Sequence, residues 1–351
     1  MIYLAHGSDR SPIMTSLYHY RFVLLLAAIQ AALGFYALSA APGLPLGGFG
    51  AQVLQLATIL PCAAYAVIAH RLFHLTYVER TPQRMEVLQA EIRSFLTDGP
   101  TILRGGLTLA LLLAALAGFT QAKRLVAILG EFSWDETLEQ LDRLVFLGHE
   151  PWRVFYGLIG WDWVLTVLTG AYAFWLTLLL CTLTIAAFAR KNPVARMQFM
   201  IAHLLSWLVI GIVMATLMSS AGPVYYADLG LGNVYRPLLE TLDAHAETYP
   251  YSVRDLQKVL WDLYTLPDGG FSVISAMPSM HVASTMVVTL YAFTASRALG
   301  WVLTAFTLVI FIGSFMLAWH YFLDGIVAMA AVGVIWQVSG WLARRTVPDQ
   351  A

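Results

Sequence analysis

Two short stretches, Ala276-Met277-Pro278-Ser279-Met280-His281 and Trp319-His320-Tyr321-Phe322-Leu323-Asp324-Gly325, each set a titratable side chain at the edge of an apolar run. Only two apolar segments, about 281–297 and 299–319, lie between them, joined by a very short turn. If those segments fold as a helical hairpin, His281, His320 and Asp324 meet at one end of a helical bundle. The fold is then all-α and polytopic, with its chemistry at a membrane face.

Composition supports that reading. Of 351 residues, 59% are hydrophobic and 12% charged, far from the ~45–50% and ~25% of soluble domains. A spanning helix needs about 20 apolar residues, and eight runs come near this, at about 22–41, 50–70, 103–121, 163–189, 197–220, 281–297, 299–319 and 321–343. The first is longer than the ~7–15-residue apolar region of a signal peptide. Although Ser39, Ala40 and Ala41 precede Pro42 in the manner of a cleavage site, it reads as a retained helix. The net charge of -1 leaves no basic stripe for a nucleic acid. Cys62 and Cys181 lie inside apolar runs, without the spacing of a disulfide framework or a zinc site.

Threading the chain through eight spans distributes the Lys and Arg residues unequally. Thirteen fall on one side: Arg10, Arg21, Arg71, Arg80, Arg84, Arg93, Arg104, Arg190, Lys191, Arg196, Arg297, Arg344 and Arg345. Seven fall on the other: Lys123, Arg124, Arg143, Arg153, Arg236, Arg254 and Lys258. Both termini are therefore expected in the cytoplasm. His281, His320 and Asp324 fall together on the opposite face, which in a bacterial inner membrane is periplasmic.

Three connecting segments have the pattern of interfacial amphipathic helices. In the first, Met85, Leu88, Ile92, Phe95 and Leu96 recur at helical spacing, with Pro82 at the start and Asp98-Gly99-Pro100 at the end. In the second, Ser133 and Glu136 have capping-box spacing ahead of Leu138, Leu141, Leu144 and Val145. In the third, Ser252 and Asp255 precede Leu256, Val259, Leu260 and Leu263. Each stripe fits either a membrane surface or a helix packed on the bundle. No repeat or low-complexity linker divides the chain. Residues 1–102 supply the first two spans and a cytoplasmic amphipathic helix, and 103–345 form the domain that carries the site.

Ionisable residues at such depths are rare and costly, which makes them functional candidates. His320 and Asp324 are four apart, so on a helix the carboxylate reaches one imidazole nitrogen and leaves the other free to attack or to accept a proton. A purely structural hydrogen bond would use the same spacing. Pro278 at a helix start leaves the next backbone N–H groups, with Ser279 among them, pointing from a helix N-terminus, a site that favours anions. A phosphate there would face His281 and His320. Phosphoryl transfer asks for little more than a nucleophile, an acid for the leaving oxygen, and positive or N–H groups around the phosphoryl oxygens. His203 reads as a bundle histidine, Asp162 as an interfacial residue, and His70 and His74 lie on the cytoplasmic side.

Pro278-Ser279-Met280-His281, followed 39 residues later by His320-x-x-x-Asp324, resembles the second and third motifs of the type 2 phosphatidic acid phosphatase superfamily. Met280, where the phosphatases carry Gly, and Ser220-Ala221-Gly222-Pro223-Val224-Tyr225-Tyr226 are similar to the inositol phosphorylceramide synthase branch. The resemblance spans about two-thirds of the chain. It implies a six-helix core, His320 as the phosphorylated nucleophile, Asp324 orienting it, and His281 protonating the leaving group. It further implies that Ser279 and its neighbouring backbone hold phosphate oxygens, and that the reaction uses no metal or other cofactor.

Two cation positions depart from the family pattern. Gly313 and Ser314 stand where the phosphatases carry Ser-Arg, and Leu229 stands where a Lys precedes Arg236-Pro237. Arg236, Arg254 and Lys258 are the candidate substitutes, with a solvated face as the alternative for each. The segment from Gly222 to Met277 is long and rich in aromatic residues. In it, Tyr225, Tyr226, Tyr235, Tyr249, Tyr251 and Tyr264 suit a lid, an acceptor pocket or an aromatic belt, with Gly269-Gly270 as a hinge.

The expected activity is transfer of a phosphoryl-linked headgroup from a membrane phospholipid to an alcohol. The alternative is hydrolysis of a lipid phosphate or diphosphate, with water as acceptor at the same site. A transporter or membrane scaffold using His281, His320 and Asp324 as a proton relay is the non-enzymatic alternative. Transporters of that kind show repeated halves and broken mid-membrane helices, and neither is visible.

Overall fold

The computed structural model describes residues 12–40, 49–249, 252–266 and 273–347. Arg10, the Ala41-Pro42 junction, Tyr251 and the Gly269-Gly270 hinge lie outside them. Every regular element among the described residues is helical. The chain runs α1 (Pro12–Ala40), α2 (Phe49–Phe73), α3 (Arg84–Leu96), α4 (Gly99–Ala122), α5 (Arg124–Gly130), α6 (Asp135–Val145), α7 (Pro151–Ile159) and α8 (Asp162–Phe188). It continues through α9 (Pro193–Leu208), a π-helical turn (Val209–Met214), α10 (Ala215–Leu217), α11 (Arg236–Thr248), α12 (Val253–Tyr264), α13 (Met280–Ala295), α14 (Arg297–Met316) and α15 (Phe322–Arg344).

Seven helical stretches are long and apolar enough to cross a membrane, and α13 is a shorter apolar helix. The chain is an integral membrane protein. At about 1.5 Å rise per residue, the sixteen residues of α13 span about 24 Å, less than the ~30 Å hydrocarbon core.

Local chemistry sets the helix ends. Asp98 caps α4 by accepting from the Thr101 N–H at 3.1 Å, and Asn192 caps α9 through Ala195 N–H at 3.1 Å, each just ahead of a Pro in the first turn. Ser296 ends α13 and caps α14, which makes the expected hairpin. α14 ends at Met316, and Ala318 two residues on has a left-handed φ of 61°. The Trp319 and His320 N–H groups then turn back onto Ser314 O at 3.1 and 2.9 Å. Where α1 crosses α4, a Cβ on Gly34 would lie 2.4 Å from the Gly118 carbonyl oxygen, a contact only glycine permits.

All three amphipathic helices form, as α3, α6 and α12. Pro82 lies in the turn before α3 rather than in its first turn. The Ser133–Glu136 capping box is absent: Trp134 is the N-cap of α6 and makes no side-chain cap bond. Ser252 does cap α12, accepting from Arg254 N–H at 3.0 Å. The facing of α6 and α12 is the notable feature. Leu141, Leu144 and Val145 of α6 and Leu256 and Val259 of α12 point outward, whereas Asp135, Glu139 and Asp142, and Arg254 and Gln257, are buried. The protein interior pairs these buried polar groups, while the outward faces mix the apolar residues with Glu136, Gln140 and Arg143 of α6 and with Asp255, Lys258 and Asp262 of α12.

Candidate active site

The hairpin of α13 and α14 brings the two stretches together. His281 Nδ1 lies 3.3 Å from His320 Nε2. His320 sits in the turn between α14 and α15 and is 4% exposed. Its Nδ1 is 2.8 Å from the Ala276 carbonyl oxygen and 3.3 Å from Asp324 Oδ2. The backbone carbonyl is thus the nearer acceptor and Asp324 the second. Both acceptors require Nδ1 to carry the proton, so Nε2 keeps its lone pair and faces His281. Burial pushes the His320 pKa down to about 3, which keeps the ring neutral and nucleophilic at physiological pH.

Asp324 has a second task. Its Oδ2 accepts from Tyr321 N–H at 3.0 Å, and its backbone oxygen accepts from Ser279 N–H at 3.1 Å, tying the start of α15 to the start of α13. Ser279 is the N-cap of α13, its Oγ accepting from Val282 N–H at 3.4 Å. The His281 ring is packed by Tyr172 and Trp175 of α8, with ring centroids 4.6 and 4.3 Å away.

The buried acidic face of α6 braces the loops around this pair. Asp135 accepts from Ala221 N–H and Gly222 N–H, both at 2.8 Å, from Tyr321 Oη at 2.9 Å and from Ser220 Oγ at 3.3 Å. Asp142 accepts from Phe322 N–H at 2.7 Å and Leu323 N–H at 3.1 Å, the first two residues of α15. Burial raises the pKa of both carboxyls against the pull of these hydrogen bonds, that of Asp142 to about 7. Ser220 O in turn accepts from Ala276 N–H at 2.8 Å, so one network runs from α6 through Ser220 and Ala276 to His320. Gly222 is required here: its φ is +101°, and a Cβ would fall 2.6 Å from the Trp319 carbonyl oxygen.

Neither acid stood out in the sequence, because both sit on the polar side of an amphipathic pattern. The only signal is their i, i+7 spacing on one face, opposite the leucines, in a helix bordered by membrane spans.

The remaining expected residues fall into two groups. Tyr225 and Tyr226 are buried near the site, but Tyr225 donates to Gln257 O at 2.8 Å and stacks on Trp261, and Tyr226 packs edge-on to Tyr235. Gln257 donates to Leu317 O at 2.9 Å, which fastens α12 to the turn that carries His320. Arg236 is exposed and paired with Glu240 at 2.9 Å. Arg254 and Lys258 pair with Asp243 at 3.0 and 3.4 Å. None of these three cations meets the histidines. Among the described residues, no group of three or more His, Cys, Asp or Glu side chains is arranged to hold a metal.

The two facing histidines, one of them fixed through Nδ1, place a free imidazole lone pair beside a second ring, an arrangement able to do nucleophilic or acid–base chemistry. The sequence profile described as the PAP2 superfamily matches residues 136–338, more than half of the chain, and the chain belongs to that superfamily. It is accordingly a lipid phosphatase or phosphotransferase in type. No curated protein and no solved structure matches the chain.

Proposed function

We propose that the protein moves a phosphoryl-linked headgroup from a lipid donor to an alcohol through a phosphohistidine at His320, in the manner of inositol phosphorylceramide synthase. The observation that carries this reading is the anchored Nδ1 of His320, whose Nε2 faces His281 in a site nearly closed to bulk water. Nε2 attacks phosphorus as the bond to the diacylglycerol oxygen breaks, and His281, entering the step as the imidazolium beside the phosphate anion, delivers the proton that this oxygen needs. The acceptor hydroxyl then gives its proton back to His281 and attacks phosphorus, releasing His320. At 3.3 Å the two nitrogens share a hydrogen bond with no room for a phosphoryl group, so substrate entry replaces that contact. The buried Trp319 Nε1, in the second stretch, and Ser275 Oγ, one residue ahead of the first, lack partners and are donors suited to phosphoryl oxygens.

A hydrolytic second reading rests on a narrow cleft that reaches His320 between Asp142, Tyr235 and Phe315 and has room for little more than one water. The two readings part on product. Purified protein in micelles, given phosphatidylinositol with and without ceramide, should form a new phospholipid only with the alcohol present. Release of water-soluble inositol phosphate at the same rate in both would favour hydrolysis. His320→Ala should lose either activity while folding normally, and retained turnover would end the nucleophile assignment.

A further inference from the structure

The site as described has nucleophile, acid and braces but no positive charge. The phosphoryl oxygens carry charge throughout transfer, and preorganised cations or N–H groups supply much of the catalysis. Every basic residue of the 222–277 segment is turned away, either paired with a carboxylate or exposed.

We infer that Lys123, at the junction of α4 and α5, is the cation that holds the phosphoryl group over His281 and His320. It lies upstream of the segment that matches the superfamily and of both histidine motifs. The inference rests on the reading of this pocket as a phosphoryl-transfer site.

Lys123 closes α4, its N–H donating to Phe119 O at 2.9 Å, and so follows Phe119 by one turn on the same face. The Phe119 ring packs against Trp207. A Cβ on Gly211 would meet both this ring and the sulfur of Met280, at 2.7 and 3.2 Å. The end of α4 and the residue that precedes His281 thereby pack on the same glycine of the π-helical turn. α5 then runs along α10, where a Cβ on Gly130 would strike Ser219, and Trp134 N–H donates to Ser219 O at 3.0 Å. Lys123 thus enters the shell of loops around the site from the same membrane face.

Its ammonium lies within Coulomb range of both histidine rings. It is partly buried, and among the described residues no carboxylate acts on it and no side chain accepts from it. A lysine withdrawn from water without a counter-ion costs stability. Two histidines beside it add no compensation, whereas a phosphoryl anion between them would.

Orthovanadate, a tetrahedral anion that can adopt the five-coordinate geometry of phosphoryl transfer, is the probe. In the purified full-length protein, Lys123→Met should weaken orthovanadate inhibition by about tenfold or more, the range expected for a charged hydrogen bond. Lys123→Arg should recover most of it. The thermal midpoint of Lys123→Met should equal or exceed that of the wild type, since an unpaired charge is removed. Lys123→Met with wild-type orthovanadate affinity, or unable to fold while Lys123→Arg folds and binds weakly, overturns the assignment. Retained turnover in His320→Ala would instead undo the underlying site, so the two failures are distinguishable.

Discussion

Asp142→Asn tests the buried acidic face of α6 most sharply, because two effects of opposite sign meet at one side chain. Asp142 is 1% exposed and accepts from Phe322 N–H and Leu323 N–H. Asparagine keeps one acceptor and turns an NH2 toward the other N–H, and an orphaned buried donor costs about 1–3 kcal/mol. Against this, burial raises the Asp142 pKa from 3.8 to about 7. Between those values the folded protein holds a proton that the unfolded chain has lost. Stability from this group is therefore complete below about pH 4 and falls by about 1.4 kcal/mol per pH unit until about pH 7. The whole fall is about 4 kcal/mol, and the asparagine variant escapes it.

Asp142→Asn should thus be less stable than the wild type by about 1–3 kcal/mol near pH 4 and more stable by a similar amount near pH 8. Thermal unfolding midpoints of the two proteins in detergent, measured from pH 4 to 8, give the answer. The difference between the curves isolates this carboxyl, since other groups titrate in both. Parallel curves would refute the burial argument, and a variant less stable at every pH would show that capping outweighs desolvation throughout.

Asp324→Asn should leave substrate affinity near normal while lowering the turnover number by about 100-fold, less than the ~10⁴-fold of a triad's orienting carboxylate, because the Ala276 carbonyl also holds Nδ1. An unchanged rate would make Asp324 purely structural. Gly222→Ala should lose turnover and lower the thermal midpoint, because the Cβ meets the Trp319 carbonyl oxygen and the backbone is left-handed there; a wild-type midpoint would contradict this packing. His281→Ala should cost more with a lipid donor than with an activated aryl phosphate, measured as turnover on each, and equal losses would argue against its acid role.

The spans and the meeting of His281, His320 and Asp324 were legible because membrane solvation imposes length and a two-segment hairpin leaves little freedom in where its ends fall. What was not legible lies in contacts between distant parts of the chain. Asp135 and Asp142 alternate with leucines as on any water-exposed helix, and only the backbone N–H groups of 221–222 and 322–323 that they accept from mark them as buried. Lys123 counted as one loop charge among seven when the chain was oriented, because its closeness to the histidines comes from the packing of α4 and α13 on the π-helical turn. The Ala276 carbonyl, nearer to His320 than Asp324 is, carries no sequence signal, since every residue has one. Arg236 matched a motif position, yet α11 turns it outward to Glu240.

The central claim is that His320 becomes phosphorylated. Rapid quenching into alkali during turnover, followed by mass spectrometry of the peptide that contains His320, tests it directly. A phosphoryl-linked group on His320 in the wild type, gone in His320→Ala together with turnover, is the predicted result. Steady turnover with His320 unmodified, or the group on another residue, would contradict it.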